Sequence, residues 1–230
     1  MPDGDQPVIE LAGIGMVYSL GKVQVPALSD VNLTIAAGEM LSIMGPSGSG
    51  KSTLMNIVGC LDQATSGRYL LRGLDVSRLN DNRLAEVRNR EIGFVFQSIA
   101  LISSMSAYEN VDFGMRICGI SAAERKKRVL ECLTLVGLGK RINHRPHELS
   151  GGEQQRVAIA RAIAHTPKVI FADEPTAELD TQMALRVVGM FKDLVHEHGL
   201  TIVMTTHDPN MMELADHVYT LEDGEIIGRE

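Results

Sequence analysis

Gly45-Pro46-Ser47-Gly48-Ser49-Gly50-Lys51-Ser52 carries the clearest chemistry in this chain. It fits the spacing G-x-x-x-x-G-K-[S/T], in which each residue type has a job. Glycines reach backbone conformations closed to other residues, so successive N–H groups turn inward on a phosphate. Lys51 is placed to reach the β- and γ-phosphates of a nucleotide, and the Ser52 hydroxyl to bind Mg²⁺. Thr53 follows and completes the candidate phosphate-binding set. A second set, Asp173-Glu174, ends the apolar run Val169-Ile170-Phe171-Ala172. Ligands of parallel α/β sheets sit at the carboxyl ends of strands. Asp173 is therefore a candidate to hold Mg²⁺ or its waters, and Glu174 to orient or deprotonate an attacking water. The third set is Leu149-Ser150-Gly151-Gly152-Glu153-Gln154. A capping box accounts for Ser150 and Glu153. It does not account for two adjacent glycines, which weaken a helix start while opening the backbone to close approach. A serine hydroxyl and glycine N–H groups at a helix N-terminus make a second anion site. Two phosphate-binding helix starts in one chain suggest a nucleotide held between two chains.

The elements that must position these residues follow from the hydrophobic pattern. Residues 40–44 read as a buried strand, and residues 53–58 as the start of a helix, so the glycine-rich loop sits between strand and helix. Upstream, residues 8–18 and 27–35 read as strands joined by a connection at 19–26, which contains Gly21 and Pro26. Residues 66–71 form a further short strand, 81–90 a polar helix, and 92–96 a strand with Gln97 at its end. From about 106 to 164 the pattern is helical. Ser106…Glu109, Ser121…Glu124 and Ser150…Glu153 each read as a capping box. The middle helix carries Val129, Leu130, Leu133 and Val136 and stops at Gly137. Strand and helix then alternate again: 169–172 apolar, 181–198 helical, 201–205 apolar, with a helix start at Asp208-Pro209. Asp223-Gly224 marks a closing hairpin. The expected architecture is an α/β phosphate-binding core interrupted by an all-helical insertion at about 98–156.

A chain of 230 residues with 44% hydrophobic and 22% charged residues builds an ordinary globular core. A net charge of −7 argues against a general nucleic-acid partner, whose footprint is basic. Cys60, Cys118 and Cys132 show no metal-like spacing and read as reduced thiols. His144 and His147 read as surface residues. No apolar run approaches the ~20 residues of a membrane span, and the start, Met1-Pro2-Asp3-Gly4-Asp5, is acidic rather than signal-like. The expectation is a cytoplasmic protein that meets a membrane only through a partner.

Taken together, the glycine-rich loop, Gln97, Leu149 to Gln154, the Asp173-Glu174 strand end and His207 resemble the ATP-binding subunit of an ABC transporter. Within that family the chain looks most like the lipoprotein-release and macrolide-export type, on residues 44–62, 93–98 and 148–162. The resemblance implies a P-loop NTPase core of the ABC ATPase kind, with an inserted helical subdomain and an N-terminal antiparallel β region, as one domain over 1–230. It implies ATP and Mg²⁺ as cofactors. By the same resemblance Tyr18 stacks on adenine, although a strand-end tyrosine also serves to cover core. Gln97 contacts Mg²⁺ and the water, and links the helical insertion to the core. Ser150, Gly151 and Gly152, with Glu153 beside them, bind the γ-phosphate of ATP held by the opposite subunit. Asp180 lies in a loop touching that site, and His207 stands near the γ-phosphate. The implied partners are a second copy, closing head-to-tail on two Mg-ATP, and an integral membrane permease. Two positions depart from the family pattern. Relatives often carry Gly-Asn-Leu-Asp where this chain has Ala177-Glu178-Leu179-Asp180, and a proline near Ile102-Ser103-Ser104-Met105.

Rival readings are an ABC ATPase that regulates a membrane partner without moving cargo, an ABC ATPase of DNA repair or translation, and a P-loop kinase. The uncharged, apolar stretch 98–105 either packs under the helical insertion or lines a groove for a permease helix.

Overall fold

Short apolar strands with no alternation of polar residues build the centre of the fold. The computed structural model describes residues 7–21, 23–208 and 214–230. The acidic start and the helix start expected at Asp208-Pro209 reach outside the described residues. In chain order the first elements are β1 (Ile9–Leu20), β2 (Val23–Ile35), β3 (Met40–Met44), α1 (Lys51–Val58), β4 (Ser66–Leu71) and β5 (Leu74–Asp75). Next come α2 (Asp81–Glu91), β6 (Ile92–Val95), α3 (Ala107–Ile117), α4 (Ala122–Leu135), a 3₁₀ turn (Pro146–Glu148) and α5 (Gly151–Ile163). The last are β7 (Val169–Ala172), α6 (Thr181–His198), β8 (Thr201–Thr205), β9 (His217–Glu222) and β10 (Glu225–Arg229).

One sheet is antiparallel, in the order β2-β1-β4-β5; the other has six strands in the order β10-β9-β3-β8-β7-β6. In the second sheet β3, β8, β7 and β6 run parallel, with Phe94 opposite Phe171 and Phe171 opposite Val203. Side chains alternate between two cores. Val169, Phe171 and Val203 join one cluster with α1, α2 and the antiparallel sheet. Ile170, Ala172, Ile202 and Met204 join the other with α3 to α6. A sheet buried on both faces needs apolar residues at every position, which is why these strands read as continuous runs. Each fully buried large side chain contributes about 1.5–3 kcal/mol. The parallel strands share a carboxyl edge. Gly45, Gln97, Asp173-Glu174 and His207 all follow those strand ends, so topology alone gathers them.

Two local expectations change. Residues 19–26 are not a connection, because β1 and β2 run on as a long hairpin, with Ser19 opposite Gln24 and Val17 opposite Pro26. β2 is the edge of its sheet, where a proline costs no ladder bond, so Pro26 does not end the strand. At Ser121 only one arm of the capping box forms, Oγ accepting from Glu124 N–H at 3.4 Å. Ser106 and Ser150 make both arms. In α4, Val129 and Leu133 are buried but Leu130 is exposed. Gly137 follows the helix at φ +74°, and Leu138 N–H returns to Leu133 O at 2.7 Å, the left-handed stop a glycine allows.

The helices between β6 and β7 are tied to one another. Arg128 of α4 donates to Ala164 O and Ile163 O at 3.1 and 3.2 Å, satisfying carbonyls at the end of α5. Cys60 and Cys132 are buried thiols and Cys118 is half-buried; burial pushes Cys60 up to about 12 and Cys132 up to about 11, so neither is reactive. Among the described residues no helix is long and apolar enough to cross a membrane.

Candidate functional site

β3 ends in a loop in which close contacts require Gly45 and Gly50 to be glycine. Gly45 has φ +148°, and a Cβ there would lie 2.0 Å from Leu221 O; Gly50 has φ +103°, and a Cβ would lie 2.6 Å from Ala27 O. Gly50 is the left-handed N-cap of α1 and supplies no side-chain cap, so first-turn N–H groups are left for a ligand. Lys51 is 8% exposed, and its Nζ donates to Gly45 O at 2.8 Å and Pro46 O at 2.9 Å. The loop borders a cavity of about 550 Å³ lined by Gly45, Ser47, Gly48, Gly50, Lys51, Ser52 and Thr53, and also by Gln97, Glu174 and His207. The structure therefore brings together residues drawn from four parts of the sequence.

Opposite the loop, β7 ends in the two carboxylates. Asp173 N–H donates to Val95 O at 2.9 Å. Thr205 Oγ1 donates to Asp173 Oδ1 at 2.6 Å and accepts from Glu174 N–H at 2.8 Å. Glu174 itself has φ +43°, a left-handed backbone that costs a residue with a side chain about 1–2 kcal/mol. Its Oε2 lies 3.4 Å from His207 Nδ1. Among the described residues no group of three or more His, Cys, Asp or Glu could hold a metal by itself. The Ser52 hydroxyl and the Gln97 amide are oxygen donors on the cavity wall, while the Asp173 carboxylate, one residue before Glu174 and bonded to Thr205, is not among the lining residues. That sparse oxygen set fits a Mg²⁺ ion that completes its shell with phosphate oxygens and water.

The candidates at Leu149 to Gln154 lie apart from this cavity. Ser150 and Glu153 form a full capping box, with Ser150 N–H to Glu153 Oε2 at 2.9 Å and Glu153 N–H to Ser150 Oγ at 3.3 Å. The Ser150 N–H bond, with Arg141 also nearby, holds the Glu153 carboxyl below its usual range. The two glycines differ. A Cβ on Gly152 would sit 2.5 Å from Met183 Sδ, so the Met183 side chain of α6 packs over Gly152. A Cβ on Gly151 would meet nothing within 4 Å. Ser150, Gly151, Gly152 and Glu153 are not among the residues lining the P-loop cavity.

Tyr18 does not line that cavity either. Its hydroxyl donates to Asp62 Oδ2 at 3.1 Å and its ring packs against core. Its cross-strand partner Val25 lines the wall, with Pro26 and Ala27. Asp180 caps α6, accepting from Met183 N–H at 2.9 Å, while Ala177 and Glu178 are exposed. His144 is half-buried with Nε2 3.0 Å from Arg141 Nη1, and His147 is exposed. Sequence reasoning missed Val25 to Ala27, Thr205 and Gln155. Gln155 is 1% exposed, and its amide donates to Pro175 O at 2.7 Å, one residue past Glu174. The only sequence signal for it was a glutamine at a buried helical position.

A glycine loop between strand and helix, facing carboxylates at a parallel strand end, defines a P-loop nucleoside triphosphatase. The family model described as ABC transporter matches residues 28–177. An uncharacterized ABC transporter ATP-binding protein of Thermotoga maritima is 51% identical over 97% of this chain and 95% of its own length. A macrolide export ATP-binding/permease protein of Marinobacter nauticus is 47% identical over 96% of this chain, which spans 34% of that longer protein. The solved dimer of the Methanocaldococcus jannaschii cassette MJ0796, in a post-hydrolysis state bound to ADP and Pi, superposes with TM-score 0.89. It is 43% identical, covering 96% of this chain and 97% of that one. The chain belongs to the ABC transporter family and is its ATP-binding, ATP-hydrolysing domain.

Proposed function

We propose that two copies of this chain close head-to-tail on two Mg-ATP, hydrolyse them, and drive a separate membrane permease of the export or lipoprotein-release type. The observation that carries the reading is the exposed helix start at Ser150-Gly151. A helix N-terminus favours an anion, and this one lies outside its own chain's P-loop cavity. A partner's ATP is the anion that suits it, and the dimeric cassette cited above supports that pairing.

Within the site, the P-loop N–H groups and Lys51 bind the β- and γ-phosphates. Val25, with Pro26 and Ala27, meets the base at the cavity wall, and Tyr18 stands across the strand pair from Val25. Ser52, Gln97 and Asp173 would hold Mg²⁺, which when bound would supply charge neutralisation at the phosphates. Glu174 accepts the proton of the attacking water at a carboxylate oxygen, and His207, 3.4 Å from Glu174 Oε2, orients that carboxylate and the γ-phosphate. The subunit works in the cytoplasm and reaches the membrane through its permease.

The permease contact is the groove of about 340 Å³ lined by Phe94, Phe96, Ala100, Ile117, Arg161 and their neighbours. Of the apolar stretch 98–105, Ala100 lines this groove, while Leu101 packs into the helical core and Ile99 is buried. The groove lies directly after Gln97, so a change at the nucleotide reaches a docked helix through that segment.

Glu174→Gln tests the reading. The amide keeps the shape and loses the base, so the variant should bind Mg-ATP, hydrolyse it roughly 100-fold or more slowly, and run as a dimer by light scattering. A monomer with wild-type turnover would refute the scheme.

A further inference from the structure

We propose that Thr205 is a positioning residue for hydrolysis, its single buried hydroxyl setting both the metal-side carboxylate of Asp173 and the backbone of Glu174. The proposal rests on the roles given to Asp173 and Glu174 above. Thr205 ends β8 and is wholly buried, at 0% exposure. Its neighbours Ile202, Val203 and Met204 are apolar and buried, so packing alone would be served by valine. A buried hydroxyl costs free energy unless it is bonded, and here both of its bonds go to the end of β7.

The two bonds are compatible. A threonine hydroxyl has one proton to donate and lone pairs to accept with. The proton goes to Asp173 Oδ1 at 2.6 Å, a short, charge-assisted bond to a carboxylate. A lone pair takes Glu174 N–H at 2.8 Å. The first bond fixes the rotation of the Asp173 carboxylate by occupying one oxygen. The second fixes a backbone that needs fixing, because Glu174 sits at φ +43°. A strained residue persists only where its surroundings hold it. With no acceptor for its N–H, the Glu174 backbone relaxes toward extended geometry and its carboxylate leaves the wall it shares with Lys51 and Gln97. Thr205 thereby links metal geometry to water geometry without touching substrate.

The test uses the full chain with Thr205→Val, which keeps shape and removes both bonds, and Thr205→Ser, which keeps both. Measured are kcat and KM for ATP, thermal unfolding, and calorimetric binding of a non-hydrolysable ATP analogue with Mg²⁺ and with EDTA. Thr205→Val should fold and bind the analogue in EDTA like wild type. Its Mg²⁺-dependent gain in affinity should fall about fivefold and its kcat roughly 10- to 100-fold. Thr205→Ser should restore both to within about threefold. The proposal is overturned if Thr205→Val keeps its kcat and its Mg²⁺-dependent gain. It is overturned equally if Thr205→Ser is as defective as valine, or if binding in EDTA falls by the same factor. Should valine not fold, Thr205→Ala, which also removes both bonds, stands under the same criteria. Failure of the underlying assignments has another signature: Asp173→Asn would keep the Mg²⁺-dependent gain, or Glu174→Gln its kcat, and the proposal then falls with them.

Discussion

Lys51 meets two demands. It is almost wholly buried, and it satisfies the carbonyls of Gly45 and Pro46 within its own loop. An ammonium offers three donors, so the two carbonyls leave one for a phosphate. Lys51→Ala removes both the loop's internal tie and the charge on the β- and γ-phosphates. We expect turnover to fall on the order of 100-fold or more, with weaker nucleotide binding. Steady-state hydrolysis and nucleotide titration check this, and wild-type turnover in the variant would take the P-loop out of the mechanism. Lys51→Arg should not rescue, because a planar fork cannot replace a compact point charge inside that loop. Lys51, Ser52, Asp173 and Glu174 were legible in the sequence because their chemistry is local: a loop motif, and a strand end. Thr205 was not. Its partners Asp173 and Glu174 lie 32 and 31 positions away, and the bond depends on β7 and β8 being neighbours in register.

At the scale of elements, α5 joins three parts of the machine. Its N-terminus carries the Ser150 box, its middle holds Gln155, and its carboxyl half packs beside β6. Gln155 therefore connects the first half of α5 to the backbone beside Glu174 within one chain. Gln155→Leu keeps the volume and strands the Pro175 carbonyl, a buried acceptor whose loss of a donor costs about 1–3 kcal/mol. We expect a modest loss of stability by thermal unfolding and a larger loss of kcat than of ATP affinity. Equal losses in both, or neither, would mean that the bond only packs α5. Helices and parallel strands were legible because their periods and caps are written locally: 169–172, 181–198 and 201–205 coincide with β7, α6 and β8. The β1–β2 hairpin was not, because Pro26 reads as a breaker until its strand is known to be an edge. That misreading hid Val25 to Ala27, which form one wall of the nucleotide cavity.

On the scale of the whole molecule, the proposed head-to-tail pairing divides the site between two surfaces of one chain, the P-loop cavity and the start of α5, which a second copy would bring together. A pair of separately dead variants tests that division. Lys51→Ala disables the P-loop side. Ser150→Arg removes a cap worth about 1 kcal/mol and puts a bulky cation where an anion should sit. Each alone should be folded by circular dichroism and inactive. Mixed, half of the dimers are hybrids. In a head-to-tail hybrid one composite site carries both lesions and the other carries neither. Roughly a quarter of all sites are then intact, and activity should return toward that fraction if a single intact site can turn over. If Ser150 instead serves the ATP of its own chain, every site in the hybrid carries one lesion and the mixture stays inactive at any ratio. The dependence on mixing ratio separates restored sites from contamination. Rescue from complementation peaks at equal amounts, whereas activity carried in with one preparation rises steadily with its share.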